Sequence, residues 1–251
     1  YERVVVSSTG NLGISVALYA KAYNIPCIVL FPDGTPSAML ENASEHGANL
    51  LATSWDGRQT LFEYIAGKAG WFPVGLFLNR SVQNPYGIEG YKTFAYELLS
   101  DLGTSPDLVL FPCARGNGLY GAWKGFMESR EWGWCSKVPR MIGCQPIGAD
   151  SLRVSLERRT KYAVELPPIK SVAFSTMETV ACDQTLEAIR QSDGSAHSAA
   201  ESEILEAVDQ LSTEGISVEA SSALPVACLS SLSQFYQLDK NSIIVCVLTA
   251  C

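Results

Sequence analysis

Two short stretches of this chain have the residue types and spacing to hold an anion. The first, Ser7-Ser8-Thr9-Gly10-Asn11-Leu12-Gly13, follows the apolar run Val4-Val5-Val6 and leads into a segment of helical apolar periodicity. A turn from a buried strand into a helix presents unpaired backbone N–H groups and the positive end of the helix dipole, which favour a carboxylate or phosphate. Ser8, Thr9 and Asn11 add side-chain donors, and Gly10 lets a ligand approach the backbone. The same residue types are also the commonest helix caps, so the turn alone reads first as an ordinary N-cap.

The second stretch is Pro112-Cys113-Ala114-Arg115-Gly116-Asn117-Gly118-Leu119-Tyr120-Gly121, again between an apolar strand candidate and a helix. Glycines at 116 and 118 permit the positive φ angles with which successive N–H groups turn inward around a phosphate. Gly116, Gly118 and Gly121 also fit G-x-G-x-x-G. A dinucleotide site, however, has a tight turn and an acidic residue about 20 positions on, at the end of the next strand. Here Pro112 to Arg115 precede the first glycine and the next strand candidate ends Cys144-Gln145-Pro146, so a nicotinamide or flavin is the lesser alternative.

Other reactive residues read more plainly. His46 precedes Gly47 and His197 lies in a polar loop; neither has a Cys or His at ligand spacing, so no metal site is expected. No G-x-S-x-G elbow is present, which argues against a Ser-His-Asp hydrolase. The eight cysteines are scattered singly, several inside apolar runs, and read as reduced, buried thiols. Trp132 and Trp134, flanking Gly133, read as packing at a helix end.

The elements that must position these turns alternate between strand and helix. Strand candidates are Val4–Val6, Cys27–Phe31, Asn49–Ala52, Gly75–Leu78, Asp107–Phe111, Met141–Gln145 and Ser242–Leu248. One helix places Leu12, Val16, Tyr19 and Tyr23 on a single face, and another starts at Thr35-Pro36 and stops at Gly47. A third follows the capping pattern Ser198-x-x-Glu201, carries Ile204, Leu205, Val208 and Leu211 on one face, and ends at Gly215. Arg159–Pro168 breaks the alternation as a surface connection, and no internal repeat is visible. The pattern is that of an α/β protein with mainly parallel sheets flanked by helices. With 251 residues, 47% hydrophobic and 18% charged, the chain is expected to fold and bury a core. Its 18 basic and 26 acidic residues give a net charge of −8 with no basic stripe, which argues against nucleic acid and anionic membrane as partners. No apolar run approaches the roughly 18 residues of a membrane span.

The two turns, in their order, resemble those of the pyridoxal-phosphate enzymes of the tryptophan-synthase-β fold (fold type II), and most nearly those of the threonine synthase family. Ser8-Thr9-Gly10-Asn11-Leu12-Gly13 is similar to S-S-G-N-T-G, and Asn84-Pro85-Tyr86-Gly87-Ile88-Glu89-Gly90-Tyr91-Lys92-Thr93 to N-P-x-x-I-E-G-x-K-T. Ile216–Ala223 resembles I-x-V-E-P-x-S-A, and Val245-Cys246-Val247-Leu248-Thr249 resembles V-C-V-L-T-G. The resemblance implies a two-lobed protein: residues 1–83 a small mobile lobe with the carboxylate loop, residues 84–251 a larger lobe with the phosphate loop. It implies pyridoxal 5'-phosphate as cofactor, bound by Asn11, Ala114, Arg115, Gly116, Asn117, Gly118 and Thr249, with Ser8, Thr9, Gly10 and Asn11 on the carboxylate of a small amino-acid substrate. Asn11 would meet the cofactor's phenolic oxygen and Thr249 its pyridine nitrogen. The implied chemistry is β/γ-elimination or replacement in amino-acid biosynthesis, as in turning O-phosphohomoserine into threonine and phosphate, by a cytoplasmic homodimer.

Two departures qualify that expectation. The family's loop reads close to P-V-G-N-G-G-N-L, whereas this chain has Arg115 in it; the guanidinium either bonds the phosphate or fills its pocket. The family's Schiff-base lysine lies upstream of the S-S-G-N loop, and none of the lysines at 21, 68, 92, 124, 137, 161, 170 and 240 matches it. The abrupt start in Val4-Val5-Val6 suggests missing upstream sequence, and no catalytic residue is assigned. Lys21, Lys92 and Lys124 are expected to be solvated and protonated. The alternative is a non-catalytic homologue or fragment serving as a ligand-binding or assembly module.

Overall fold

The computed structural model describes residues 2–8, 10–35, 37–54, 57–68, 70–75, 81–82, 84–232 and 234–250. They form two compact units, Tyr1–Asn79 and Arg80–Cys251. The first unit contains β1 (Val4–Ser7), α1 (Asn11–Ala22), β2 (Cys27–Pro32), α2 (Ser37–Glu45), β3 (Asn49–Thr53), α3 (Arg58–Lys68) and β4 (Phe72–Val74). The second contains α4 (Pro85–Tyr91), α5 (Thr93–Leu102), β5 (Leu108–Pro112), α6 (Asn117–Glu131), β6 (Arg140–Pro146), α7 (Ser151–Glu157) and α8 (Asp183–Gln191). It continues with β7 (Ser195–Ala199), α9 (Glu201–Thr213), α10 (Ala220–Ala227), α11 (Leu229–Leu232) and β8 (Ile244–Cys246).

Each unit is built on a parallel four-stranded sheet, ordered β3-β2-β1-β4 in the first and β7-β6-β5-β8 in the second. Both faces are covered, as the continuous apolar strands require. Successive side chains alternate between faces: Val6 packs with Ala17, Ala20 and Val29, while Val5 packs with Leu30, Phe62 and Ile65. In the second unit Val109 and Phe111 enter one core with Leu119, Phe126 and Ile189, and Leu108 and Leu110 enter the other with Ile204 and Leu224. In each sheet the first strand in sequence lies between its successor and the last strand. Chain direction therefore switches sides at the carboxyl ends of β1 and β5, the place where open α/β sheets form ligand crevices.

Several expectations are corrected. The strand placed at Gly75–Leu78 lies earlier, at Phe72–Val74, ending before Gly75 turns to φ 115°; Leu76, Phe77 and Leu78 fall outside the described residues. The strand at Ser242–Leu248 shortens to Ile244–Cys246, and Asp107 precedes β5, its carboxylate accepting the Ile243 N–H at 2.8 Å. Helix α1 buries Gly13, Ala17 and Ala20, whereas Tyr19 and Tyr23 are exposed, because only small side chains fit that close to the sheet. The stretch around His197 is β7, and Ser198 lies within it; α9 starts at Glu201, with the Glu203 carboxylate accepting the Ala200 N–H. On α9, Leu205 is exposed and Ala207 takes its place in the core. Trp132 and Trp134 contact each other and Tyr96 at ring separations of 5.2–6.1 Å, yet both remain more than half exposed. No helix among the described residues is long and apolar enough to cross a membrane.

Candidate functional site

In the first unit the loop after β1 is fastened by its own serine. Ser8 Oγ accepts the N–H groups of Gly10 (3.2 Å) and Gly13 (3.1 Å), so Ser8 caps α1 from outside its formal N-cap, Gly10. Gly13 permits this wrap: a Cβ there would stand 3.3 Å from Ser8 Cβ and 3.1 Å from Val29 Cγ1. Asn11 opens the helix, beside Gly10 and Ser8. Thr9 lies outside the described residues. Of the four residues expected on the carboxylate, the structure thus brings Ser8, Gly10 and Asn11 together at a helix start, with the Ser8 oxygen committed to capping.

In the second unit the loop after β5 runs from Cys113 to Gly116 and enters α6 at Asn117, with Gly116 in the left-handed region at φ 85°. Its carbonyls are held by residues far along the chain. Gln145 Nε2 donates to Ala114 O at 3.4 Å; the Cys182 N–H donates to Arg115 O at 3.0 Å; Thr185 Oγ1 lies 3.0 Å from Arg115 O and 3.1 Å from Gly116 O. Gln145 and Thr185 are fully buried, and the Gln145 carbonyl oxygen accepts the Leu152 N–H. The glycine at 116 is obligatory here, since a Cβ would fall 2.2 Å from Thr185 Cγ2. Gly121 has a different duty, for a Cβ there would lie 2.3 Å from Tyr91 Cβ: it lets α6 pack against α4.

Arg115 is nearly enclosed, its side chain 12% exposed, with Nε 3.6 Å from a Glu178 carboxylate oxygen. Its Nε and Nη1 are buried without a hydrogen-bond partner. Buried donors without acceptors are costly, and a guanidinium in that state beside a loop of inward-held carbonyls suits an anion. The neighbouring Cys182 thiol is pushed up to about 12 by burial, with Arg115 pulling it partly back, so it stays protonated at neutral pH. The described cysteines are all free thiols.

Thr249 follows β8, the strand next to β5, and its Oγ1 lies 3.0 Å from the buried Ser222 Oγ, which also accepts the Ala250 N–H. Ser222 thus fixes the segment that carries Thr249. It stands in the quoted I-x-V-E-P-x-S-A-like motif, although only the motif and no role was legible. Gln145, Thr185, Cys182 and Glu178 carry no local motif; a glutamine at the end of an otherwise apolar strand is the one sequence sign among them. The Asn84-Pro85 motif is structural: Asn84 Oδ1 accepts the Gly87 N–H and Pro85 opens α4.

The described lysines are not poised as nucleophiles. Lys92 is enclosed rather than solvated, donating to Glu128 at 2.8 and 2.9 Å and pairing with Glu89; those carboxylates hold its ammonium well above the usual range. Lys124 pairs with Glu89, Lys137 with Asp107, and Lys21 donates to the Glu45 carbonyl. Lys161, Lys170 and Lys240 are exposed, and the Lys68 side chain lies outside the described residues.

The parallel sheets flanked by helices, with glycine-bearing loops at their switch points, place this chain in the α/β class whose ligand crevices lie at the carboxyl ends of the strands. The family model for pyridoxal-phosphate-dependent enzymes matches residues 1–250, and the chain belongs to that family. This decides the alternative left open by the glycine pattern in favour of pyridoxal phosphate. The chain is 33% identical over 248 residues to threonine synthase of Mycobacterium tuberculosis (strain ATCC 25618 / H37Rv), covering 98% of this chain and 66% of that protein. It is 31% identical over 255 residues to threonine synthase of Methanocaldococcus jannaschii, covering 99% of this chain and 62% of that protein. The chain therefore spans just under two thirds of the length of these relatives. Among solved structures, maize serine racemase superposes with a TM-score of 0.82 at 21% identity, over 99% of this chain and 73% of its own. Threonine deaminase isoform 2 from Solanum lycopersicum does so with a TM-score of 0.83 at 22% identity, over 99% and 65%. These two likenesses establish the tryptophan-synthase-β-like fold.

Proposed function

We propose that this protein acts as a threonine-synthase-like enzyme, releasing phosphate from O-phosphohomoserine and adding water to give threonine. The observation that carries the reading is that the curated relatives at 31–33% identity are threonine synthases along almost the whole chain. We assign the cofactor phosphate to Ala114, Arg115, Gly116, Asn117 and Gly118. The buried Nη1 of Arg115, which has no hydrogen-bond acceptor, supports this, since a phosphate supplies one; Nε has only its longer ion pair with Glu178. Thr249 is assigned to the pyridine nitrogen, where a neutral hydroxyl leaves the ring unprotonated; its tie to Ser222 supports a fixed orientation. The helix start at Ser8, Gly10 and Asn11, with Thr9, is assigned to the substrate carboxylate, and Asn11 also to the cofactor ring. When bound, pyridoxal phosphate supplies the electron sink for elimination and replacement at the β or γ carbon; the residues named here bind and orient. On the same reading the protein is a cytoplasmic homodimer.

The test is phosphate release from O-phosphohomoserine by the protein isolated from its natural source, run beside 2-oxoacid formation from serine and threonine. Pyridoxal-phosphate-dependent phosphate release with threonine as product is expected. Oxoacid formation without phosphate release would overturn the substrate assignment. A second reading, a ligand-binding or assembly module, is favoured by the ion pairs that engage Lys92 and Lys124 with Glu89 and Glu128. It predicts cofactor binding with neither product.

A further inference from the structure

The geometry assigns to Thr185 the task of aiming the phosphate loop, with Gln145 as its partner; this rests on the proposed phosphate site and names positioning residues beyond the loop itself. In a trans peptide the C=O of one residue and the N–H of the next point in opposite directions. The carbonyls of Arg115 and Gly116 converge on one buried hydroxyl, Thr185 Oγ1, at 3.0 and 3.1 Å. The N–H groups of Gly116 and Asn117, which share those peptide planes, are thereby turned away from Thr185. Gln145 does the same for the peptide joining Ala114 to Arg115, by holding Ala114 O. Thr185 has one proton to share between two carbonyls, so its oxygen is a pivot for both planes rather than a partner of either.

The pivot is itself rigid. Thr185 is fully buried in the first turn of α8, its own N–H donates to Cys182 O, and Cys182 N–H reinforces the hold on Arg115 O. Gly116 presses against it closely enough that no side chain fits between. A β-branched side chain so enclosed is stiff at χ1, and the loop inherits the position of its hydroxyl. Nothing in this arrangement touches the ligand: Thr185 and Gln145 act through the backbone they hold.

The purified chain, titrated with pyridoxal phosphate and separately with pyridoxal, tests the inference. Thr185→Val keeps the shape and removes the hydroxyl. It should weaken pyridoxal phosphate binding about tenfold, leave pyridoxal binding unchanged, and be rescued to within about twofold by Thr185→Ser. Gln145→Leu is an independent arm, with a smaller loss again confined to the phosphate-bearing ligand. If the valine variant does not fold, the serine and leucine variants carry the decision: wild-type selectivity for phosphate in serine together with its loss in leucine supports the clamp, and any other combination overturns it. Equal weakening of both ligands in a folded valine variant would show a merely structural role, and unchanged binding would also overturn the inference. A wild-type chain that binds pyridoxal and pyridoxal phosphate equally, or neither, would defeat the phosphate site itself.

Discussion

In the first unit, the loop after the central strand is fastened by Ser8, within five residues of the N–H groups it caps. In the second, the loop at the equivalent place is fastened by Gln145, 31 residues away, and Thr185, 70 and 69 residues away from its two carbonyl partners. The strand orders correspond, and both loops sit where chain direction switches sides of the sheet. What differs is the source of order: a local cap in one, tertiary packing in the other. A locally capped turn can survive rearrangement of its surroundings, whereas the loop of the second unit depends on α8 and β6 remaining in register with it. The polarity differs as well, since the first loop is neutral and the second contains the enclosed guanidinium of Arg115.

The strongest way to break this comparison is to add one methyl group to each loop. Gly116→Ala must adopt φ near 85° and push Thr185 from a contact of 2.2 Å. The left-handed backbone and the overpacking together should lower stability by about 2–4 kcal/mol. Gly13→Ala meets only side-chain atoms at 3.1 and 3.3 Å and gains helix propensity, so its effect should lie within about 1 kcal/mol of zero. Urea unfolding of both variants checks this, and equal losses would mean that the two loops are held alike.

The charge difference is sharpened by Arg115→Ala and Asn11→Ala. Removing Arg115 should weaken pyridoxal phosphate binding by about 1.5–3 kcal/mol, the worth of a hydrogen bond to a charged group. Tighter binding would show instead that the guanidinium fills the pocket. Asn11→Ala in the active protein should lower turnover more than about tenfold, because the residue assigned to orient ring and substrate is lost. Unchanged turnover would remove Asn11 from the site.

The same contrast explains what was legible in the sequence. The α/β alternation, most strands and both loops follow from short runs whose periodicity and capping chemistry are local. Val5 and Val6 announce a strand buried on both faces, and Asn84-Pro85 announces a helix start. By contrast, β7 is Ser-Ala-His-Ser-Ala, with no strand signature of its own; its place comes from pairing with β6 and from Gly194, which runs so close to Met141 that a Cβ would stand 2.0 Å from its carbonyl oxygen. Thr185 and Gln145 are silent for a like reason, since their roles exist only after three separate segments have packed. The inward face of α1 is hidden from its apolar periodicity because tyrosine's apolar area outweighs its size there, while the space above a parallel sheet admits glycine and alanine.

The smallest predicted effect concerns β7, the strand whose polarity had suggested a loop. His197 is buried, and its neighbours fix its proton: Ser231 Oγ donates to Cys228 O and so accepts from His197 Nδ1–H, while Tyr236 OH donates to Ser195 Oγ, leaving the Ser195 proton for Nε2. Burial lowers the imidazole's pKa below the usual histidine range. Above about pH 8 the ring is uncharged in both folded and unfolded chains, and the full stability is present. As pH falls through the unfolded value near 6.5, the unfolded chain takes up a proton that the folded one refuses, so stability declines until the lower folded value is passed. His197→Asn should flatten that acid limb while lowering stability at neutral pH through loss of the Ser195 and Ser231 contacts. Urea midpoints between about pH 5 and 8 would decide it. An acid limb of the same slope in wild type and variant would place the titrating group elsewhere, and β7 would then owe its stability to pairing alone.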